Sequence, residues 1–307
     1  MTIGNHAITF EGRDVVLYDV EKGVTKPQGE AYALRSDWGD QEAFSRQWDA
    51  LMKDPNRGKL EALILGAWDE EMFDASTSAL VELLKGAAGE LTSLEAVFFP
   101  DVIYEECEIS WLQQSDVSPV LEAYPKLKTL RVRGGEGLSF HAVRHEGLRR
   151  LIVETGGLAS GTVAEICALN LPNLEHLELW LGSDNYGGDA TVADLAPILS
   201  GKLFPKLTSL GLMNSEFAND IALNLAGAPI LEQIKTLDLS MGTMTDEGAE
   251  HLLNNPALAR LERLDVSDNF ISDAMSERLR AAWDGRVYVD GQKSDDGDGW
   301  FYASVTE

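Results

Sequence analysis

Apolar residues recur along this chain in one rhythm: an apolar position, two others, an apolar position, one other, an apolar position. It is read at Leu60, Leu63 and Leu65; at Leu94, Val97 and Phe99; at Leu127, Leu130 and Val132; and at Leu148, Leu151 and Val153. It returns at Leu174, Leu177 and Leu179; at Leu207, Leu210 and Leu212; at Ile234, Leu237 and Leu239; at Leu261, Leu264 and Val266; and in part at Val287 and Val289. Alternate side chains of a strand face opposite ways, so the last two apolar residues of each copy enter one core. The residues between and after them then project from the other face. No copy buries its apolar face alone, and stacking neighbours makes the core continuous.

Between the copies, polar starts followed by apolar residues at helical spacing predict helices. They fall at Asp74 to Ala88, Ser160 to Leu169, Thr191 to Leu199 and Asp220 to Ala226, after Thr245-Asp246, and after Ser272-Asp273. The 21-residue step from Val132 to Val153 leaves no room for one, and Gly134, Gly135 and Gly137 predict a tight turn there. Three segments follow: residues 1–57 as an N-terminal cap (a hairpin around Glu11 to Asp14, then a helix from Asp40 to Met52), residues 58–290 as a repeat solenoid, and residues 291–307 as an acidic tether and aromatic tail. The tail, Trp300 to Val305, is too apolar to trail freely and is expected to fold back or dock a partner.

The rhythm is that of leucine-rich repeats. With a helix in most units, the chain resembles the ribonuclease-inhibitor-like subclass. The expected fold is therefore an α/β horseshoe of about nine parallel inner strands with helices on the convex side. The copy Leu261 to Ile271 is nearest to consensus, and its Asn269 is placed to satisfy backbone groups where the strand turns away. Gly135, Gly156, Gly182, Ser215 and Gly242 stand at that position elsewhere, so no regular asparagine ladder is expected. The insertion Tyr104 to Asp116, with Met1 to His6, Val132 to Gly135 and Leu179 to Gly182, resembles an uncharacterised bacterial cytosolic leucine-rich-repeat family. That resemblance implies an accessory or recognition role beside radical-SAM-type and phosphatase- or sulfatase-like enzymes, and it assigns no catalytic residue.

The chain carries a net charge of −26, which argues against nucleic acid or anionic membrane as a main partner. No apolar run suits a membrane span and no secretory leader is legible, so a cytoplasmic protein is expected. Cys107 and Cys167 read as two free thiols. His141 and His145 read as solvated loop histidines, and the acidic run Asp295 to Asp298 as a spacer lacking the closing Glu of a calcium loop. Hydrolase, phosphate-loop, dinucleotide and zinc-protease motifs are absent from the sequence, so neither an enzyme nor a cofactor is expected. The turn-rich stretch Gly182 to Asp189 reads as a structural loop, with a ligand site as the alternative.

The projecting face holds the stronger signal. Residues 126–150 carry seven Lys or Arg against two acids inside a strongly acidic chain. Two readings stand: pairing with the neighbouring Glu154, Glu175 and Glu178, or a patch for carboxylates or phosphates built on Arg131, Arg133 and Arg150. On the second reading Phe98, Trp180 and Met213 are apolar anchors, His176 and Glu178 polar neighbours, and Trp111 a rim residue. Glu178, Asp238, Asp265 and Asp290 form an acidic end. The expected function is a non-enzymatic scaffold holding a protein or peptide partner on the concave face. The alternative is a carrier of a small molecule or peptide substrate for a modification or biosynthetic pathway.

Overall fold

A computed structural model describes residues 2–36, 40, 42–68, 75–294 and 300–307. It divides into two compact units, residues 2–153 and residues 154–306. The described residues form twelve strands and eight α-helices. The architecture is α/β with a mostly parallel sheet, and in each unit sheet order follows chain order.

In the N-terminal unit, β1 (Thr9–Phe10) and β2 (Arg13–Leu17) form an antiparallel hairpin. Glu11 and Gly12 both take positive φ at its turn, the geometry that matches strand twist. Parallel pairing then runs through β3 (Glu30–Leu34), β4 (Ala62–Leu65), β5 (Ala96–Phe99) and β6 (Thr129–Arg133). The register aligns Tyr32, Leu63, Val97 and Leu130, so the middle apolar residue of each copy meets its counterpart. Parallel pairing thus begins at β2, well before the first leucine copy. Helices α1 (Ala43–Lys53), α2 (Ser78–Gly86) and α3 (Ser118–Ala123) separate the strands, and β7 (Arg150–Glu154) reaches the division. No helix lies between β6 and β7. The expected helix start at Asp74 lies outside the described residues, as do residues 295–299 of the acidic tether.

The C-terminal unit alternates α4 (Ser160–Ala168), β8 (His176–Gly182), α5 (Ala196–Leu199), β9 (Ser209–Ser215), α6 (Ala218–Asn224), β10 (Thr236–Asp238), α7 (Asp246–Leu253), β11 (Arg263–Asp265), α8 (Asp273–Trp283) and β12 (Val287–Tyr288). Leu177, Leu210, Leu237, Leu264 and Val287 align across β8–β12. The leucines of this row are fully buried. Helix α5 is shorter than its sequence pattern, because Asp194 holds the backbone and hydroxyl of Thr191 in a turn at 2.9 and 2.7 Å.

Two residues past the last apolar position of four successive copies, Asn214, Met241, Asp268 and Gly291 take positive φ and turn the chain off the sheet. Asn269 fills its expected role: its amide donates to the carbonyls of Leu239, Val266 and Ser267, and its oxygen accepts from Met244 N. The C-terminal tail is seated on this turn row. Ser304 N donates to Met241 O at 2.7 Å, Val305 N donates to Asn214 Oδ1 at 2.8 Å, and Asn214 Nδ2 returns a bond to Val305 O. Lys293 Nζ clips the tail through Gly242 O, Tyr302 O and Ser304 Oγ. The buried anchors are the small residues Ala303, Ser304 and Val305, while Trp300 stays 74% exposed. Phe301 and Tyr302 pack edge-on against Phe270.

Candidate functional site

The residues that alternate with the core leucines behave differently in the two units. Along β3–β5 of the N-terminal unit they are Ala31, Ala33, Ala62, Ile64, Ala96 and Phe98, all buried, while Arg131 of β6 is half-buried. The buried ones form a second core with Phe10, against which Ala7 and Val15 pack. The row of alanines leaves room for the N-terminal segment to lie close. Tyr104 N donates to Ile3 O at 2.8 Å, and Ala7 N donates to the Asp101 carboxylate at 3.1 Å. Phe98, expected as an exposed anchor, is therefore fully buried, its ring 6.1 Å from that of Phe10.

The basic zone is likewise rearranged. The Arg131 guanidinium lies over the Phe98 ring at 4.2 Å and that of Arg133 at 5.0 Å. Arg133 is 3% exposed, and its Nη1 donates to Val102 O at 2.6 Å and to Asp101 Oδ1 at 3.3 Å. Arg150 Nε stands 3.1 Å from the carboxylate of Glu11, which the hairpin turn delivers. Arg133 and Arg150 meet carboxylates of their own unit and Arg131 stacks on Phe98, so Arg133 is turned inward rather than presented to an outside anion. The physical reason is desolvation. A guanidinium on an apolar, covered face must find its counter-charge within the fold.

Asp101 is the centre of that arrangement. Its side chain is fully buried and is met by Arg133, by Arg35 at 3.7 Å and by His6 at 3.5 Å. Burial pushes its carboxyl up, but His6 and Arg133 outweigh this and hold it below the usual carboxylate range. His6 also meets Glu106 at 3.3 Å. Burial opposes its charge, yet the hydrogen bonds to Asp101 and Glu106 prevail and raise it to about 9. Neither Asp101 nor His6 stood out in the sequence, since both lie outside the repeat positions.

Other expected sites resolve simply. Trp111 is 51% exposed at the edge of the insertion. Gln114 ties that insertion inward, donating to Arg133 O at 2.6 Å and accepting from Thr77 Oγ1 at 2.7 Å. His145 is buried rather than solvated: its Nε2 donates to Tyr124 O, and its Nδ1 accepts from Gly147 N and Leu148 N. His141 is exposed and bridges Asp116 and Glu122. Both cysteines are free, and burial raises their thiols, to about 12 for Cys107 and about 11 for Cys167. In the 182–189 loop, Asp189 accepts from Ser160 N at 2.6 Å and so opens α4. A Cβ on Gly182 would meet Gly156 O at 1.9 Å and one on Gly157 would meet Tyr186 O at 2.3 Å, so glycine is required where the loop lies against the 156–157 backbone. Among the described residues, no group of three His, Cys, Asp or Glu is placed to hold a metal ion.

In the C-terminal unit the alternating face is polar and only partly covered, with Ser240 and Asp265 buried. Glu178, Met213 and Asp238 are half-buried, while Tyr288 and Asp290 are exposed. Trp180 is largely buried at 9% exposure, its indole N–H donating to Glu178 Oε1 at 2.9 Å. His176 joins Ser209 Oγ at 2.9 Å and Glu178 at 3.3 Å. The sequence expected Asp238 to project freely into solvent. Instead burial, first, and then Asp265 and Glu178 push its carboxyl up to about 6, against the opposing hydrogen bonds from Ser240. On the neighbouring strands one cation has already settled: Arg263 lies 4.2 Å over the Tyr288 ring and 2.8 Å from Asp265.

Among the described residues no helix is long and apolar enough to cross a membrane. No family model matches the chain, and no curated protein matches it. It is similar to a protein from Bacteroides fragilis whose crystal structure was solved as a structural-genomics target. The TM-score is 0.76 at 29% identity, covering 89% of this chain and 76% of that one.

Proposed function

We propose that this protein is a non-enzymatic leucine-rich-repeat scaffold. In this reading the open face of β8–β12 holds a basic, extended segment of a protein partner, in the service of a bacterial modification or biosynthetic pathway. The observation that carries the proposal is the contrast between the two units. The alternating face is apolar and covered by the chain's own N-terminal segment in one unit, and acidic and only partly buried in the other. Glu178 and Asp238, beside the Arg263-paired Asp265, supply charge complementary to Lys or Arg, and the half-buried Met213 supplies apolar contact beside them. The seat of Arg263 on Tyr288 and Asp265 illustrates how the face accepts a guanidinium.

A site-resolved cross-link tests this. A photoreactive residue at Met213 on the sheet face, or at Glu277 on α8, is activated in the native host. A partner joined at Met213 through a Lys- or Arg-rich segment, and absent from the Glu277 sample, supports the reading. Equal capture at both positions, or capture through an acidic segment, contradicts it.

A further inference from the structure

The turns that follow β9, β10 and β11 hold an extended backbone, and the tail shows how. Asn214 exchanges two hydrogen bonds with one residue: its Oδ1 accepts from Val305 N at 2.8 Å, and its Nδ2 donates to Val305 O. A side-chain amide used in this way copies the bond pair made between opposed residues of two strands, so it grips backbone whatever the side chain. The amide is also oriented independently of the tail, because Nδ2 donates to Thr155 O at 3.3 Å. The other two turns offer main-chain oxygens. Met241 O accepts from Ser304 N at 2.7 Å, and Asp268 O accepts from Ser304 Oγ at 3.4 Å. The tail therefore crosses the turns in one direction, Ser304 over the two later ones and Val305 at the earliest.

Side chains add a pattern to this backbone grip. Ala303, Ser304 and Val305 are buried, so the middle of the strip admits small and medium residues only. Lys293 Nζ lies 4.5 Å from the Phe270 ring centroid and 5.0 Å from that of Tyr302, which favours an aromatic residue two places before the serine. The same ammonium donates to Tyr302 O at 2.8 Å and to Ser304 Oγ at 3.1 Å. Trp300, Phe301 and Tyr302 all remain exposed, so the tail buries its small side chains and leaves its large ones out. Directional hydrogen bonds, more than apolar burial, hold it. A contact of that kind opens locally while the fold stands.

We propose that this strip of turns is a peptide-recognition site, capped by the chain's own tail, for an extended segment of a partner protein with the same order: aromatic, small, serine, aliphatic. Tail and partner segment compete for one place, and the tail has the advantage of being tethered beside it. The site lies at the turns and not on the face of β8–β12, so it stands or falls independently of the scaffold reading.

Fluorescence anisotropy of a labelled peptide with the sequence of residues 300–307 tests the assignment on the full chain. Ala303 is 2% exposed, so Ala303→Trp should unseat the tail without altering the turns. That variant should bind the peptide saturably, and wild type at least about tenfold more weakly, because its own tail is in place. Methylating the peptide nitrogen of Val305 removes the N–H that Asn214 accepts and should weaken binding roughly tenfold, the scale of one directional bond. A peptide of reversed sequence should not bind. Several results overturn the proposal: no saturable binding to the folded variant, equal binding by wild type and variant, or equal binding of the methylated or reversed peptide. Loss of folding in Ala303→Trp, read by circular dichroism, makes the tail part of the core and overturns it as well.

Discussion

Replacing Asp238 by Asn should make the protein more stable at neutral pH, although the change removes a charge from the face assigned to binding. In the native state this carboxyl sits at about 6, raised by burial and by Asp265 and Glu178. In the unfolded chain it returns to about 3.9. The folded state therefore binds more protons between those values, and stability falls as pH rises from about 4 to about 6. Above that window the native state keeps an ionised carboxylate it would shed if it could. Two pH units correspond to about 3 kcal/mol. Relaxation and solvent screening at a half-buried site reduce the expected gain to about 1–2 kcal/mol. Asn retains an oxygen to accept the Ser240 N–H now held at 3.0 Å, so the hydrogen bond is not the variable. Urea unfolding of wild type and Asp238→Asn from pH 3.5 to 8 measures the effect. The two curves should meet near pH 4 and separate to a constant gap above pH 6. A variant less stable than wild type at pH 7, or a gap independent of pH, refutes the electrostatic account of this face.

Further outcomes follow from the same structure. Leu237→Ala removes a fully buried side chain aligned with Leu210 and Leu264, and should cost about 2–5 kcal/mol by thermal or denaturant melt. Asp101→Asn leaves Arg133, His6 and Arg35 without their shared counter-charge and should cost about 3–5 kcal/mol, measured the same way. His6 contributes stability in full below its unfolded value near 6.5, and that contribution is lost as pH rises through about 9. The excess stability of wild type over His6→Gln should therefore be greatest at pH 6 and vanish by pH 10. Asn214→Ala breaks both bonds to Val305 and should cost about 1–3 kcal/mol while making residues 300–307 sensitive to protease.

The leucine rhythm made much of the fold legible because it reports one constraint, a shared core on one side of a parallel sheet. The aligned row Leu177, Leu210, Leu237 and Leu264 follows from it directly. The hairpin arm β2 is legible, but its parallel continuation into β3 is not, because β3 sets Tyr32 and Leu34 at the leucine positions and lacks the full triplet. Its other face carries Ala31 and Ala33, small residues that signal close cover rather than an exposed surface. Ala62 to Leu65 and Ala96 to Phe99 are continuous apolar runs without alternation, the mark of strands buried on both faces. That signal was present in the sequence and excluded Phe98 as an exposed anchor. By contrast, His176 to Leu179 alternates polar with apolar and half-buried with buried, as a partly uncovered face requires. What no local pattern encodes is the pairing of distant charges. Asp101 meets His6, Arg35 and Arg133 only because three strand ends and the N-terminal segment arrive at one place. The fate of Arg133 was therefore beyond reach of its neighbours in sequence.

The most direct test of the scaffold reading is fluorescence anisotropy of a labelled peptide with alternating Arg and Ala, titrated with three forms of the protein. Wild type should bind it saturably, with affinity falling as salt rises. The form carrying Glu178→Gln, Asp238→Asn and Asp265→Asn should lose that binding while remaining folded. A form with three neutralised acids on helices, Glu82→Gln, Glu250→Gln and Glu277→Gln, has the same net charge and should bind as wild type does. If the two neutralised forms weaken binding equally, the attraction is only that of an acidic protein for a basic peptide, and the face has no assigned role.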